Sequence, residues 1–381
     1  MVCPYDHEPN PRNRVTEHST SDGESRSHEI KIVARGIASA VAPESGVQPV
    51  QSSLLGAITE ALMDVEIDYQ DLEPLGPEEL AAELSGFDEH QRHRVVHFMV
   101  LGELILRPIP PEVAKRVESY ATALGIEDRF VRIARRYAQG AFGLAWLDLH
   151  RSGFAEHWEN ARMDQLKTNV KASDQLALGR ADPDLEARWI AFEDLPAGTL
   201  GRTAWEMYTG RGFALPGSPG GAAAYLAQHD FVHVLADYGT NLDGELEVFA
   251  LIGRADPEPK GFAWLATLVG LFETGYVADA GFFQGDLRER HLDTNEMHVR
   301  VADAMRRGKA VCDSRGEDLL AIDYHERADM PVADIRAEIG LRDKSARALA
   351  AGSPGLFDRE GMSVLQQEYA ASLPSGSPEG R

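Results

Sequence analysis

Residues 226–249 read LAQHDFVHVLADYGTNLDGELEVF, and this stretch decides the fold of the second half of the chain. Apolar residues flank Gly239 on both sides, and this glycine is the natural end of the first helix, so the pattern predicts a helical hairpin. Positions four apart lie on one face of a helix. His229 and His233 are therefore expected one turn apart, with Asp230 projecting from the same broad side.

The ligand residues are spaced symmetrically about the turn. Gly239 lies six residues from His233 and six from Glu245, so each should lie roughly 9 Å from the turn at about 1.5 Å rise per residue. Taken alone, any one of these histidines is best interpreted as an ordinary core or surface residue. Burying two imidazoles and two carboxylates together is costly unless a divalent cation compensates them. The hairpin therefore predicts a metal site made of His229, Asp230, His233 and Glu245.

Two further carboxylates are candidates for a catalytic role. Asp237 follows His233 by one turn and either orients an imidazole or is a solvated residue near a helix end. Glu273 stands in the apolar stretch LATLVGLFETGYVADAGFF, where a carboxylate either lies on a boundary face or handles protons. Residues 261–283 are too interrupted to span a bilayer, and they predict a buried helix that walls a substrate pocket.

A family resemblance joins these residues. The chain contains the motif HDxxH followed by eleven residues and a Glu, and the stretch Leu-Pro-x-Gly-Thr-Leu-Gly-Arg precedes it at residues 195–202. This combination resembles the coenzyme Q biosynthesis protein 4 family. Segments 305–310, 318–324 and 331–341 resemble the closing helices of that family. The resemblance covers roughly residues 185–345. It implies a role in quinone-type biosynthesis, in which a prenylated aromatic ring is bound and its ring carboxylate is replaced by hydroxyl in an oxidative decarboxylation.

The expected cofactor is a divalent metal, either zinc or ferrous iron, with dioxygen as a co-substrate of the iron form. The expected partner is an aromatic or prenylated quinone precursor, or another tailored aromatic acid. Contact with a biosynthetic complex and assembly into a homo-oligomer stay open. One alternative is a non-catalytic scaffold that binds prenyl lipids around a structural metal, and a metal-dependent hydrolase is a weaker one.

Composition limits the other function classes. The chain has 381 residues and a formal net charge of −23, which disfavours binding to nucleic acid phosphates. The two cysteines, Cys3 and Cys312, are far apart in sequence and predict no disulfide framework, which suits a reducing cytoplasm. The N-terminus has no apolar core of a signal peptide. We therefore expect a cytoplasmic protein, with peripheral membrane contact as an alternative.

The pattern along the chain predicts an all-α protein. Residues 1–50 are expected to be a largely disordered tail with a docking segment, and residues 51–155 an accessory helical bundle. Within that bundle, LGELILRPIPPEVAKRVESYATALGI (residues 101–126) resembles tellurite-resistance B-like helical domains. A linker at 156–180 leads to the metal-binding domain at 181–345, and residues 346–381 are expected to be a mobile tail.

Overall fold

The computed structural model describes residues 19–127, 131–132, 135–136, 163–170, 181–257, 265, 269, 291–294, 296–316 and 318–373. This part of the chain is all-α, as predicted: it holds thirteen α-helices and no β-strand. The helices of its first half are α1 Ser19–Val41, α2 Pro49–Met63, α3 Pro77–Glu83, α4 Glu89–Leu104, α5 Pro111–Ala123 and α6 Pro183–Ala191. Those that follow are α7 Leu200–Arg211, α8 Ala224–Ala236, α9 Leu242–Ala255, α10 Met297–Ser314, α11 Val332–Glu338, α12 Ala346–Ala350 and α13 Val364–Ser372.

One buried amide ties the first helices together. Gln51, on α2, has a fully buried side chain whose Nε2 donates to the carbonyl of Val41 at 2.9 Å and to that of Gly102 at 2.8 Å. These carbonyls lie at the ends of α1 and α4, where no intrahelical N–H can reach them. Gly102 also lets α4 approach α1 closely, because a Cβ there would lie 3.1 Å from the Val41 side chain. The Gln51 side chain therefore supplies hydrogen bonds to backbone carbonyls at the ends of two helices inside the core.

The N-terminal segment differs from the prediction. Residues 30–41 form the second half of α1, where a mixed docking segment is expected from the sequence. Ile32, Ile37 and Val41 are buried there, together with several alanines. Small residues let the helix pack closely on its neighbours, and Gly36 faces the Leu80 side chain. A helix that is buried on most of its faces has no polar stripe, so hydrophobic periodicity does not reveal it.

The centre of the molecule is formed by α9 and α10, which pack along each other, with α2 against the other side of α10. Gly308 explains the close approach, because a Cβ at this position would lie 2.3 Å from the carbonyl oxygen of Leu251 on α9. The hydrophobic core is thus continuous between helices of the two predicted domains. The domain limits stay a prediction, since most of the linker at 156–180 lies outside the described residues.

The predicted mobile tail is ordered as far as residue 373. It contains α12, the 3-10 helix Arg359–Gly361 and α13. Ser353, Leu356, Ser363 and Gln366 are buried, and we call residues 353–373 the C-terminal segment. Its glycines, prolines and serines suggest disorder in the sequence, but they form turns and helix caps that pack on the α8–α9 hairpin. The structure thus gives residues 346–373 helices and buried side chains where the sequence predicts a mobile tail.

Cys312 is buried on α10 and is disulfide-bonded. The sequence predicts no disulfide framework, and this bond contradicts that prediction. None of the described helices is long and apolar enough to cross a membrane. The cytoplasmic localisation stays a prediction.

Candidate metal centre

The predicted hairpin is present, with its turn at Gly239. Helix α8 ends at Ala236, and the next residue adopts a left-handed conformation with φ 58°. Helix α9 begins after Asn241, whose side chain accepts a hydrogen bond from the backbone N–H of Gly244 at 2.9 Å. The turn is tight, since a Cβ on Gly244 would lie 2.0 Å from the Gly239 oxygen. Glycine at both positions therefore allows the two ligand-bearing helices to run back along each other.

Three of the four predicted metal ligands come together across this hairpin. One oxygen of Glu245 lies 3.3 Å from Nε2 of His229, and the other lies 3.2 Å from Nε2 of His233. One ligand atom from each of the three residues lies within 4.8 Å of the other two. His233 is fully buried and Glu245 is 8% exposed. The symmetric spacing about Gly239 therefore does bring Glu245 level with both imidazoles.

The two imidazoles have hydrogen-bond environments suited to metal binding. Nδ1 of His229 contacts the carbonyl oxygen of Leu226. A carbonyl only accepts, so Nδ1 carries a proton, and Nε2 is the nitrogen that faces the cluster and that a metal would bind, as in metal-bound histidines generally. Both ring nitrogens of His233 are buried; Nδ1 has no hydrogen-bond partner among the described residues, and Nε2 faces the Glu245 carboxylate, 3.2 Å away. Such a group is costly to bury, and a cation bound at Nε2 would remove part of that cost. Two imidazoles and a carboxylate fit zinc or ferrous iron.

Asp230, the fourth predicted ligand, lies beside the three. Its Oδ1 is 3.4 Å from Nε2 of His229, and its other oxygen accepts a hydrogen bond from the Tyr208 hydroxyl. Tyr208 lies on α7 and is buried. Burial and the neighbouring Asp230 carboxylate raise the pKa of Tyr208 well above its usual range, so the hydroxyl stays protonated as a donor. The sequence contains no signal for this residue, because it lies outside the HDxxH motif and its contact depends on the packing of α7 against α8.

Of the two predicted catalytic carboxylates, the structure describes Asp237, which lies away from the cluster. Asp237 does not orient an imidazole. It ends α8, its side chain is 56% exposed, and it accepts a hydrogen bond from the backbone N–H of Leu356 at 2.8 Å. Asp237 therefore holds the C-terminal segment in place. Its partner Leu356 is so distant in sequence that the HDxxH motif gives no indication of the contact. Glu273 lies outside the described residues, as does most of the predicted pocket wall at 261–283.

The charges of the cluster support one another. Burial lowers the pKa of His229, but the carboxylates of Asp230 and Glu245 outweigh it and raise the value to about 9. Burial also disfavours ionised Glu245, yet His233 and His229 hold the pKa of this carboxyl well below its ordinary value. The cluster without metal is thus a buried ion pair, with a proton on His229 where a cation would otherwise sit.

The proton on His229 makes the stability of the metal-free protein depend on pH. A histidine whose pKa rises on folding stabilises the native state below its unfolded value of 6.5, and this contribution is lost as pH rises through about 9. We expect the free energy of unfolding in chelator to fall by up to roughly 3 kcal/mol across this window. Glu245 does not oppose the trend, because its contribution is lost only in acid. Urea denaturation at several pH values should show the loss in the wild type but not in His229→Gln; the same slope in both would contradict this assignment.

Comparisons with known proteins give one solved structure. No family model matches the chain, and no curated protein matches it. The crystal structure of a protein from Nostoc punctiforme PCC 73102, described as a candidate ubiquinone biosynthesis protein, is similar to this chain with 17% sequence identity and a TM-score of 0.27. The match covers 67% of this chain and 99% of that chain.

Proposed function

We propose that this protein is a metal-dependent enzyme that acts on an aromatic acid, with His229, His233 and Glu245 as its metal ligands. One observation carries the proposal: two imidazoles and a carboxylate converge in a buried site, with one ligand atom of each residue within 4.8 Å of the other two. A set of three protein ligands leaves coordination positions for water or substrate, as catalytic sites require and structural sites do not. Bound at these ligands, a divalent ion supplies a Lewis acid and, as ferrous iron, chemistry with dioxygen.

The proposed reaction is an oxidative decarboxylation, for which the support is the resemblance of the motif at 195–245 to the coenzyme Q biosynthesis protein 4 family. The bond between the ring and its carboxylate breaks and the carboxylate leaves as carbon dioxide. One oxygen atom of dioxygen forms the new bond to the ring, and the other is reduced to water. The balance requires two electrons from an external reductant, and protons from the protein or the solvent.

Asp230 and Tyr208 are the proposed proton-handling pair. Their hydrogen bond places a protonated phenol and a carboxylate next to the ligand cluster, within reach of a group bound at His229. Asp230 accepts, and Tyr208 holds the carboxylate in place. The sequence suggests proton handling for Glu273, while Asp237, the other predicted catalytic carboxylate, lies against the C-terminal segment.

Turnover with labelled oxygen tests the proposal. Protein loaded with ferrous iron is incubated with ascorbate, ¹⁸O₂ and either 4-hydroxybenzoate or a prenylated derivative, and the product is analysed by mass spectrometry. We expect a dihydroxy ring carrying one labelled oxygen. Tyr208→Phe should keep the metal and lower the rate by about 100-fold, Glu245→Gln should lose the metal, and the exposed Glu360→Gln should behave as wild type. Metal-loaded protein that never releases labelled product would rule out the decarboxylase.

A non-catalytic role is the second candidate, and one distance favours it. Oδ1 of Asp230 lies 3.4 Å from Nε2 of His229, so a second carboxylate is close enough to act as the fourth ligand of a closed shell around a structural metal. In that case Asp230→Asn should weaken metal binding as strongly as Glu245→Gln does. If the protein is instead the proposed enzyme, Asp230→Asn should keep the metal and lose turnover.

A further inference from the structure

A cavity of about 170 Å³ lies between α1, α2 and α4, away from the metal cluster. Each of the three helices contributes apolar side chains to its wall; these include Val33, Ile37, Ile58, Leu62, Val95 and Phe98. A dry cavity of roughly 150 Å³ is large enough to hold a benzene ring. The space therefore fits an apolar body of about one aromatic ring.

The polar side of the cavity is basic. Arg26, Arg94 and Arg254 line it, and Glu29 is the carboxylate among the described lining residues. This concentration of guanidinium groups stands out in a chain with a net charge of −23. Arg26 is exposed to solvent, whereas Arg254 is buried. The polar end of the cavity therefore carries more positive than negative charge, and Arg254 is its buried member.

Arg254 is the residue that points most directly to a ligand. It lies at the end of α9, is 6% exposed, and has a buried terminal nitrogen with no hydrogen-bond partner. Burial, followed by the charge of Arg94, lowers the pKa of Arg254 to about 10. Arg94 is itself held by a hydrogen bond from its Nη2 to the carbonyl of Pro257 at 2.8 Å. The Asp313 carboxylate partly opposes the lowering of the Arg254 pKa, yet the buried terminal nitrogen of Arg254 still has no acceptor. A buried donor of this kind is costly, and a bound anion would satisfy it.

We propose that this cavity binds a small organic carboxylate, with the ring or short acyl body against α1, α2 and α4 and the carboxylate on Arg254. Arginine pairs with carboxylates through parallel N–H donors, which suits this recognition. Arg254 follows Glu245 by nine residues on α9, or about 13 Å along the helix axis. The cavity is therefore a second site, and the proposal does not depend on the function of the metal cluster.

Calorimetric titration with benzoate and octanoate tests the proposal and separates an aromatic from an acyl ligand. Neutral benzamide and octanamide serve as matched controls. Chelator is present throughout, so that carboxylate bound to metal is not counted. We expect at least one carboxylate to bind at least about tenfold more tightly than its amide. Arg254→Gln should remove that advantage, since a hydrogen bond to a charged group accounts for a difference of about this size.

Two further variants complete the experiment. Val33→Phe should fill the cavity and abolish binding of the carboxylate and the amide alike, and it decides the matter if Arg254→Gln does not fold. Arg188→Gln removes an exposed arginine elsewhere and should bind as wild type does. Equal affinity for carboxylate and amide would overturn the proposal. Binding that survives both Arg254→Gln and Val33→Phe, or no binding of either carboxylate up to about 10 mM, would overturn it as well.

Discussion

Replacing His233 by alanine is expected to remove about one equivalent of bound divalent metal per chain. His233 is fully buried, and its Nε2 lies 3.2 Å from Glu245, so its loss leaves one imidazole and a carboxylate to hold the ion. Elemental analysis of purified protein measures the effect directly. His90→Ala is the matched control, because His90 is exposed near the start of α4 and should not affect metal content. Equal metal in His233→Ala and the wild type would exclude this ligand set.

The same position should show different effects on stability with and without metal. In chelator, Nδ1 of His233 is buried without a hydrogen-bond partner, which costs on the order of 1–3 kcal/mol, while Nε2 lies 3.2 Å from Glu245 and helps keep it ionised. His233→Leu fills a similar volume and removes both contributions, so we expect its Tm in chelator to stay close to that of the wild type. With saturating metal the wild type should be the more stable, because metal binds only the native state. A variant that is less stable under both conditions would indicate a histidine that serves packing alone.

The second large effect is expected at the apex of the ligand hairpin. A Cβ on Gly239 would lie 2.5 Å from the Cα and from the carbonyl oxygen of Gly361 in the C-terminal segment. That carbonyl also accepts hydrogen bonds from the backbone N–H groups of Thr240 and Asn241, at 2.7 Å and 3.0 Å. Gly239→Ala must therefore displace the C-terminal segment, and we expect it to lower the free energy of unfolding by about 1–3 kcal/mol.

Urea denaturation measures this loss, with metal content as a second readout. Gly86→Ala is the matched control, since a Cβ there meets nothing within 4 Å. Deleting residues 353–381 should weaken metal binding in the same way as Gly239→Ala, because both changes remove the C-terminal segment from the turn of the ligand hairpin. An unchanged midpoint in Gly239→Ala would contradict the tight contact between the two glycines.

The ligand hairpin could be predicted from sequence because its geometry is local. His229 and His233 share one helix, and the spacing about Gly239 determines where Glu245 lies. Features that depend on distant partners could not be predicted. The contact of Tyr208 with Asp230 requires α7 to pack on α8, and the partner of Asp237 lies 119 residues away. In each case the side chain is ordinary in its own segment, and only the tertiary packing assigns it a role.

The helices near the two termini illustrate a second limit of prediction from sequence. The second half of α1 is rich in small and β-branched residues and is buried on most sides, so the alternation of polar and apolar positions that indicates a helix is absent. The C-terminal segment has the composition of a flexible tail, yet Thr240 donates to Gln366 at 2.7 Å in a buried contact. The composition of a segment indicates only whether the isolated segment would be ordered. It contains no information about the surface on which the segment packs in the folded protein.

The position of the hairpin contacts along the chain has a consequence for the order of assembly. The three ligands lie within residues 229–245, so bringing them together closes only short loops, which costs little entropy. The residues that close over the apex are 126 positions apart in the case of Thr240 and Gln366. During synthesis the ligand hairpin leaves the ribosome well before the C-terminal segment does. The hairpin can therefore form before the C-terminal segment is available to pack on its apex, and docking of the last helix comes after the three residues have met.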